Sequence, residues 1–293
     1  MGLEYCQMAT ENVEGFTDFD IDRNWYKKRP KGLSAVIRCY GEERWIGPCV
    51  ESCLPLYDEI LISLTEVEGD RTEDILKSLK SSKIKVIKYP FKFKLQNKPK
   101  YSCDSVYQFS YYTNWSLSKT KYSHISARWD ADHVLRPEYT NKKFHDYVLS
   151  KSNVQVRGYN VVSPDFRYIS KSHPYLSFHV RYAKADPYLC FVGNSDYATY
   201  YGFPQWFSPK HWLHFPVQQT QSIFNRLFFK DGRIDEPVFF HTKYLKVKEN
   251  LLKIKGKYCV GEKKYNETGL EPGKKINVTV PKYAFKKPED YLQ

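Results

Sequence analysis

Two acids separated by one small residue, Asp130-Ala131-Asp132, close the run Tyr122-Ser-His-Ile-Ser-Ala-Arg-Trp-Asp-Ala-Asp132. The residues before them suit a β-strand, in which positions two apart share a side. Both carboxylates are therefore expected to face one spot. Acids at the end of a buried strand need a cation beside them. Mg2+ or Mn2+ is the expected guest, because such ions take one or two carboxylates and complete their shell with water and phosphate oxygens. The chemistry predicted here is the handling of a nucleoside diphosphate. Arg38, inside an apolar run, needs an anion, and either the nucleotide or a nearby acid supplies it. His241 closes another apolar run, Pro237-Val-Phe-Phe-His241. A histidine there suits a hydrogen-bonded strand end.

The elements that must position these residues alternate in type. Leu33 to Tyr40 is a β-rich run ending at Gly41, and Trp45, Ile46, Val50 and Cys53 recur at helical spacing before Pro55. Glu59 to Leu64 is a second strand, and Thr72 is placed to cap a helix through Lys80 with Ile75, Leu76 and Leu79 as its apolar stripe. Lys83 to Tyr89 alternates as a third strand, Ser105 to Lys121 is an aromatic-rich helix, and a fourth strand runs from about Ser123 into the aspartates. This β-α-β-α-β-α-β order predicts an α/β fold with a mostly parallel sheet flanked by helices. Ligands of such sheets bind at the carboxyl ends of the strands. Tyr40, Glu66, Asp130 and Asp132 all stand at predicted strand ends. Later, 154–162 forms another strand, and an aromatic tract follows from Tyr197 to Phe215. The expected organisation is an N-terminal arm over 1–31, one domain over 32–245 with halves at 32–140 and 141–245, and a basic extension over 246–293.

The chain has 293 residues, of which 41% are hydrophobic, enough for a sizeable core. No stretch has the length to span a bilayer, and the first residues lack the basic and apolar regions of a secretion signal. A cytoplasmic protein is expected. Its seven cysteines are scattered, and the pair Cys49/Cys53 has no second pair at zinc-ligand spacing, so reduced structural thiols are expected. The formal charge of +13 favours an anionic partner. Nucleic acid is disfavoured, since no nucleic-acid-binding signature accompanies the charge. A sugar nucleotide, an acidic glycan, peripheral contact with a membrane surface, or a merely solvated basic face all fit.

Three segments carry a resemblance. They are Ser34-Ala-Val-Ile-Arg-Cys-Tyr-Gly-Glu-Glu-Arg-Trp-Ile46, the run from Glu59 to Ile75 with its acidic turn, and Trp129-Asp-Ala-Asp-His-Val-Leu-Arg-Pro-Glu138. Together they resemble the donor half of the GT-A fold glycosyltransferases, family 2-like, over roughly 32–140. Gly41 stands where that family has Asn, and Glu66 or Glu68 where it has Asp. The resemblance implies a Rossmann-type GT-A domain with an irregular C-terminal part. It implies metal-dependent transfer of a sugar, with inversion, from a nucleotide-sugar donor to a hydroxyl of a glycan or glycoprotein acceptor. A UDP-sugar such as UDP-glucose, UDP-galactose or UDP-xylose is the expected donor. Asp132 is then assigned to Mn2+ or Mg2+, and Asp130 to the donor ribose or the metal and its water shell. Tyr40 and Glu66 fall at the base and ribose, and Arg38 at the donor. Glu43 is either a donor contact or an acid at a helix N-terminus. His241 becomes a further metal ligand and Lys243 a diphosphate contact. Asp196 is the first candidate for the catalytic base, with Asp165 and Asp235/Glu236 as alternatives. The aromatic tract suits an acceptor sugar or a core. Two other classes fit less well: a nucleotidyltransferase, which needs a Gly-rich basic loop where Gly41-Glu-Glu-Arg stands, and a non-catalytic glycan- or nucleic-acid-binding protein.

Overall fold

The apolar runs of the first half form strands, each separated from the next by a helix. A computed structural model describes residues 8–65, 67–92, 104–186, 189–191, 198–200, 231–243, 245, 259–260, 263–264 and 271–292. In it β1 (Leu33–Tyr40), α1 (Ile46–Cys53), β2 (Glu59–Thr65), α2 (Thr72–Ser78), β3 (Ile84–Lys88), α3 (Phe109–Ser118) and β4 (His124–Asp130) follow the predicted order. The chain continues through β5 (His133–Leu135), α4 (Lys142–Leu149), β6 (Asn153–Asn160), β7 (Tyr168–Ser170), β8 (Tyr175–Lys184), β9 (Leu189–Phe191), β10 (Ala198–Tyr200) and β11 (Asp231–His241). Short strands β12 (Cys259–Val260), β13 (Lys263–Lys264) and β14 (Pro272–Lys275) close the order.

The main sheet runs β3-β2-β1-β4-β8-β6-β11-β5. Its first four strands are parallel, as a chain of β-α units dictates. The rest is mixed. Strand β8 is antiparallel to both β4 and β6, β11 is parallel to β6, and β5 is antiparallel to β11. Between β6 and β8 lies only the short β7 and no helix, so an antiparallel return is the accessible connection.

Strands β2 and β3 lie on one side of β1, and β4 lies on the other. The direction of winding therefore reverses between β1 and β4, and a crevice opens at their carboxyl ends. The helices follow the same reversal. Residues of α1 and α2 pack with Ala35, Ile37, Ile60 and Ile62 on one face of the sheet. Phe109, Tyr112 and Trp115 of α3 pack with Val36 and Leu61 on the other. Covered on both faces, β1 is buried except at Tyr40 and β2 is buried throughout, and apolar residues make up most of both.

Both ends of the chain join these layers. Ile21 and Trp25 of the N-terminal segment are buried in the cluster built around α3. Tyr291, near the other end, belongs to the cluster beneath α1. The turn before α2 differs from its expected capping. Asp70 Oδ1 accepts the Thr72 main-chain N–H at 2.9 Å, while the Thr72 hydroxyl accepts the Glu42 N–H at 3.0 Å. Thr72 thereby ties the loop after β1 to α2. Among the described residues no helix is long and apolar enough to cross a membrane.

Candidate metal centre

The carboxyl end of β1 delivers Arg38 and Tyr40 to the crevice. Tyr40 is 60% exposed there, and Arg38 is buried below it. Arg38 lies on the face covered by α3, with its guanidinium 4.9 Å from the centre of the Phe109 ring. Its anion is Asp130: Arg38 Nε donates to Asp130 Oδ1 at 3.0 Å, and Nη2 donates to the same oxygen. The nearby acid that the sequence offered as a partner is in place.

A β-bulge makes that pair possible. Ala35 is in register with Ser126, but Ile37 is in register with Trp129, so Ala127 and Arg128 together oppose Val36. Arg128 takes the left-handed conformation, φ 65°, that a bulge accommodates. Before the bulge, Ile125 and Ala127 face α3; after it, Trp129 packs with Ala35 and Ile37 on the opposite face. The extra residue therefore turns Asp130 onto the face that carries Arg38.

The expectation that both acids face one spot is thereby corrected. β4 ends at Asp130, and Asp132 lies in the tight turn into β5, where strand alternation no longer holds. Asp130 goes to Arg38. Asp132 goes to two histidines. His133 Nε2 is 3.9 Å from Asp132 Oδ1, and His241 Nε2 is 3.7 Å from Oδ2. Ligand atoms of Asp132, His133 and His241 all lie within 4.8 Å of one another, and the three residues are 7%, 0% and 7% exposed. Asp130, assigned to the metal along with Asp132, is not a member of this group.

Sheet register explains the convergence. His241 on β11 is the partner of His133 on β5 and of Asn160 on β6. Residues directly opposite one another share a face, so the three side chains form one row. Asn160 Oδ1 lies 2.6 Å from His241 Nδ1. Thr242 fastens the turn to the row, its N–H and its hydroxyl both donating to the Asp132 carbonyl oxygen at 3.0 Å. From beneath, the Cys49 thiol reaches the Asp130 carbonyl oxygen at 3.7 Å. Burial, followed by the neighbouring Cys53, pushes that thiol's pKa well up, so Cys49 stays a protonated core residue.

This donor set fits a divalent ion. Asp132 Oδ2 and His241 Nε2, 3.7 Å apart, are near enough that both could hold one ion. A carboxylate with imidazole suits Mn2+ and its transition-metal neighbours better than Mg2+, which prefers oxygen throughout.

Other expected site residues fall elsewhere. Glu43 accepts the main-chain N–H and the Nε–H of Arg71, both at 3.2 Å, and so braces the loop after β1. It lies three residues before α1, which begins at Ile46. Lys243 is half-buried two residues beyond His241. Asp235 accepts from Arg233 Nε at 2.8 Å, and Glu236 accepts from Arg136 Nη1 at 3.2 Å. Asp165 is exposed in a turn, where hydrogen bonding from Ser163 lowers its pKa. Glu66, Asp196 and most of the aromatic tract lie outside the described residues. His133 and Asn160 were not anticipated as site residues. His133 directly follows the acidic pair and was legible as a candidate, whereas nothing local marks Asn160.

No protein-family model and no curated protein sequence matches the chain.

Proposed function

We propose that the chain is a metal-dependent glycosyltransferase that moves a sugar from a nucleotide-sugar donor, a UDP-sugar first, to a hydroxyl of a glycan or glycoprotein. The observation that carries this reading is the buried Asp132/His133/His241 group beside the β1–β4 crevice. A GT-A-like fold is part of the proposal, supported by the parallel β3-β2-β1-β4 half and by a cation-competent group at its carboxyl ends.

Asp132 and His241 would hold the ion. Bound there, a divalent ion supplies positive charge against the departing diphosphate. The chain's own residues do the rest. The exposed Tyr40 ring offers a flat face for the base. Asp130, which accepts from Arg38 and is partly exposed, is the proposed partner of a ribose hydroxyl. Lys243, two residues beyond His241, is the proposed contact for a diphosphate oxygen. Asp196 is the proposed base that takes the proton of the acceptor hydroxyl.

The test is hydrolysis and transfer with a panel of UDP- and GDP-sugars, with Mn2+, with Mg2+ and with chelator. Turnover of at least one donor is expected, faster with Mn2+ than with Mg2+, and lowered by at least about 100-fold in Asp132→Ala. An Asp132→Ala protein indistinguishable from the parent, or no donor turned over or bound, sinks the reading.

A further inference from the structure

Three residues of the centre could close on one ion, yet the hydrogen bonds around its two imidazoles make them different chemical species. The Asn160 amide is oriented by its Nδ2, which donates to the His173 carbonyl oxygen at 2.8 Å. Its Oδ1 therefore faces His241 and can only accept. With 2.6 Å between Oδ1 and His241 Nδ1, the proton of that ring sits on Nδ1. The Nε2 lone pair is then directed toward Asp132 Oδ2, 3.7 Å away.

His133 is wired the other way. Its Nδ1 accepts the main-chain N–H of Asp130 at 3.3 Å. A neutral imidazole with Nδ1 as acceptor carries its proton on Nε2, and that N–H is the group aimed at Asp132 Oδ1 from 3.9 Å. A protonated ring nitrogen is not a metal ligand. The local chain enforces the difference. His133 sits three residues past Asp130, where the turn folds its ring back under the amide of the strand end, whereas His241 ends a strand flanked by Asn160.

We propose that Asn160 is the positioning residue that makes His241, of the two described histidines at this centre, the imidazole ligand, and that His133, with its proton on Nε2, is a neighbour of the Asp132 carboxylate and not a ligand. The assignment rests on the metal-site reading above and sharpens it. Among the described residues the centre then offers an ion one carboxylate and one imidazole. The competing arrangement, with both rings as ligands, is the two-histidine, one-carboxylate set that suits non-haem iron.

Mn2+ binding to the full chain without nucleotide separates the two. The probes are an EPR titration for affinity and pulsed EPR for the number of nitrogen-14 nuclei coupled to the ion. The parent is expected to show one coupled nitrogen. His241→Gln should lose it, and His133→Gln should keep it. Asn160→Leu should weaken Mn2+ binding by about 10- to 100-fold, the usual cost of removing a group that orients a ligand. Asn160→Asp, which still accepts from Nδ1–H, should restore most of that affinity. Melting curves check that each variant is folded, and if Asn160→Leu is not, the Asp variant and the histidine pair decide alone.

Two coupled nitrogens in the parent, reduced to one by His133→Gln, overturn the proposal and leave the glycosyltransferase reading standing. An Asn160→Leu protein that binds Mn2+ as the parent does also overturns it. One coupled nitrogen without turnover of any sugar nucleotide supports the proposal and sinks the transferase. Absence of any Mn2+ binding sinks both.

Discussion

Arg38 and Asp130 show how single residues at this site are committed before any ligand arrives. The guanidinium is buried beneath Tyr40, and its Nε donates to a carboxylate that is still about a third exposed. Removing the cation would leave a half-buried carboxylate facing an aromatic wall. Arg38→Met is therefore expected to lower stability by about 3 kcal/mol, measured by urea unfolding. Adding Asp130→Asn to it should recover a substantial part, because no uncompensated charge then remains. Equal stabilities of the single and double variants would refute the pairing as the cause. Tyr40 has a different role, since its ring is exposed and carries no visible packing burden. If it stacks on the donor base, Tyr40→Ala should weaken UDP binding about tenfold, read by calorimetry, with little change in melting temperature.

At the scale of elements, the site depends on where strand register slips. The bulge at Ala127-Arg128 redirects Asp130, and a second irregularity between Val156 and Gly158 of β6, met by one between Ile234 and Phe239 of β11, precedes Asn160 and His241. Gly158 is required there because a Cβ would collide with the Phe239 ring. Gly158→Ala should cost about 1–3 kcal/mol through overpacking. It should also reduce Mn2+ affinity, because Gly158 and Phe239 lie two residues before Asn160 and His241. Unchanged stability in a melting experiment would show that Phe239 has room to move.

The opposite end of β4 sets a pH dependence. His124 Nε2 donates to the Lys151 carbonyl oxygen at 3.0 Å, and Nδ1 lies 3.0 Å from the Ser123 hydroxyl, which is satisfied when the ring is neutral. Burial, the largest cause, lowers the pKa of His124 below 6.5, and Lys184 and Lys31 add to the effect. The unfolded chain then binds the proton more readily than the folded one. The contribution is complete above about pH 6.5 and is lost as pH falls below it. Urea midpoints at pH 8 and pH 5.5 should differ less in His124→Asn than in the parent. The same slope in both proteins would assign the acid sensitivity to another group.

Across the whole molecule, the far C-terminal residues clamp the helix that follows β1. Tyr291 donates its hydroxyl to Glu51 Oε2 at 2.8 Å, and Lys286 Nζ donates to Glu51 Oε1 at 2.7 Å. Arg44 Nη1 donates to the Lys286 carbonyl oxygen at 2.7 Å. Arg71 joins the same network, pairing with Glu289 at 3.0 Å and with Glu43 at 3.2 Å. The tail therefore braces the loop that borders the crevice. Ending the chain at 285 should lower stability by about 3 kcal/mol, one buried aromatic ring and a few hydrogen bonds, and the melting temperature by roughly 8 °C. Gly47 gives an internal control, since a Cβ there would strike the Tyr291 ring. Gly47→Ala should destabilise the full chain and have little effect on the shortened one. Equal losses in both would mean that the tail does not press on α1.

The alternation of apolar runs with helical periodicity determined the parallel half of the sheet, because each β-α unit buries its faces locally and leaves one handed way to return. It likewise marked Asp132 and His241, since an acid or a histidine closing an apolar run stands out wherever the strand ends. The tertiary structure decided what those residues meet. A bulge of one residue reversed the face of Asp130, a turn took Asp132 out of strand alternation, and the register of β5, β11 and β6 brought His133, His241 and Asn160 into one row. Register and bulges are set by packing between segments a hundred residues apart, and so leave little trace in the local pattern from which strands are read.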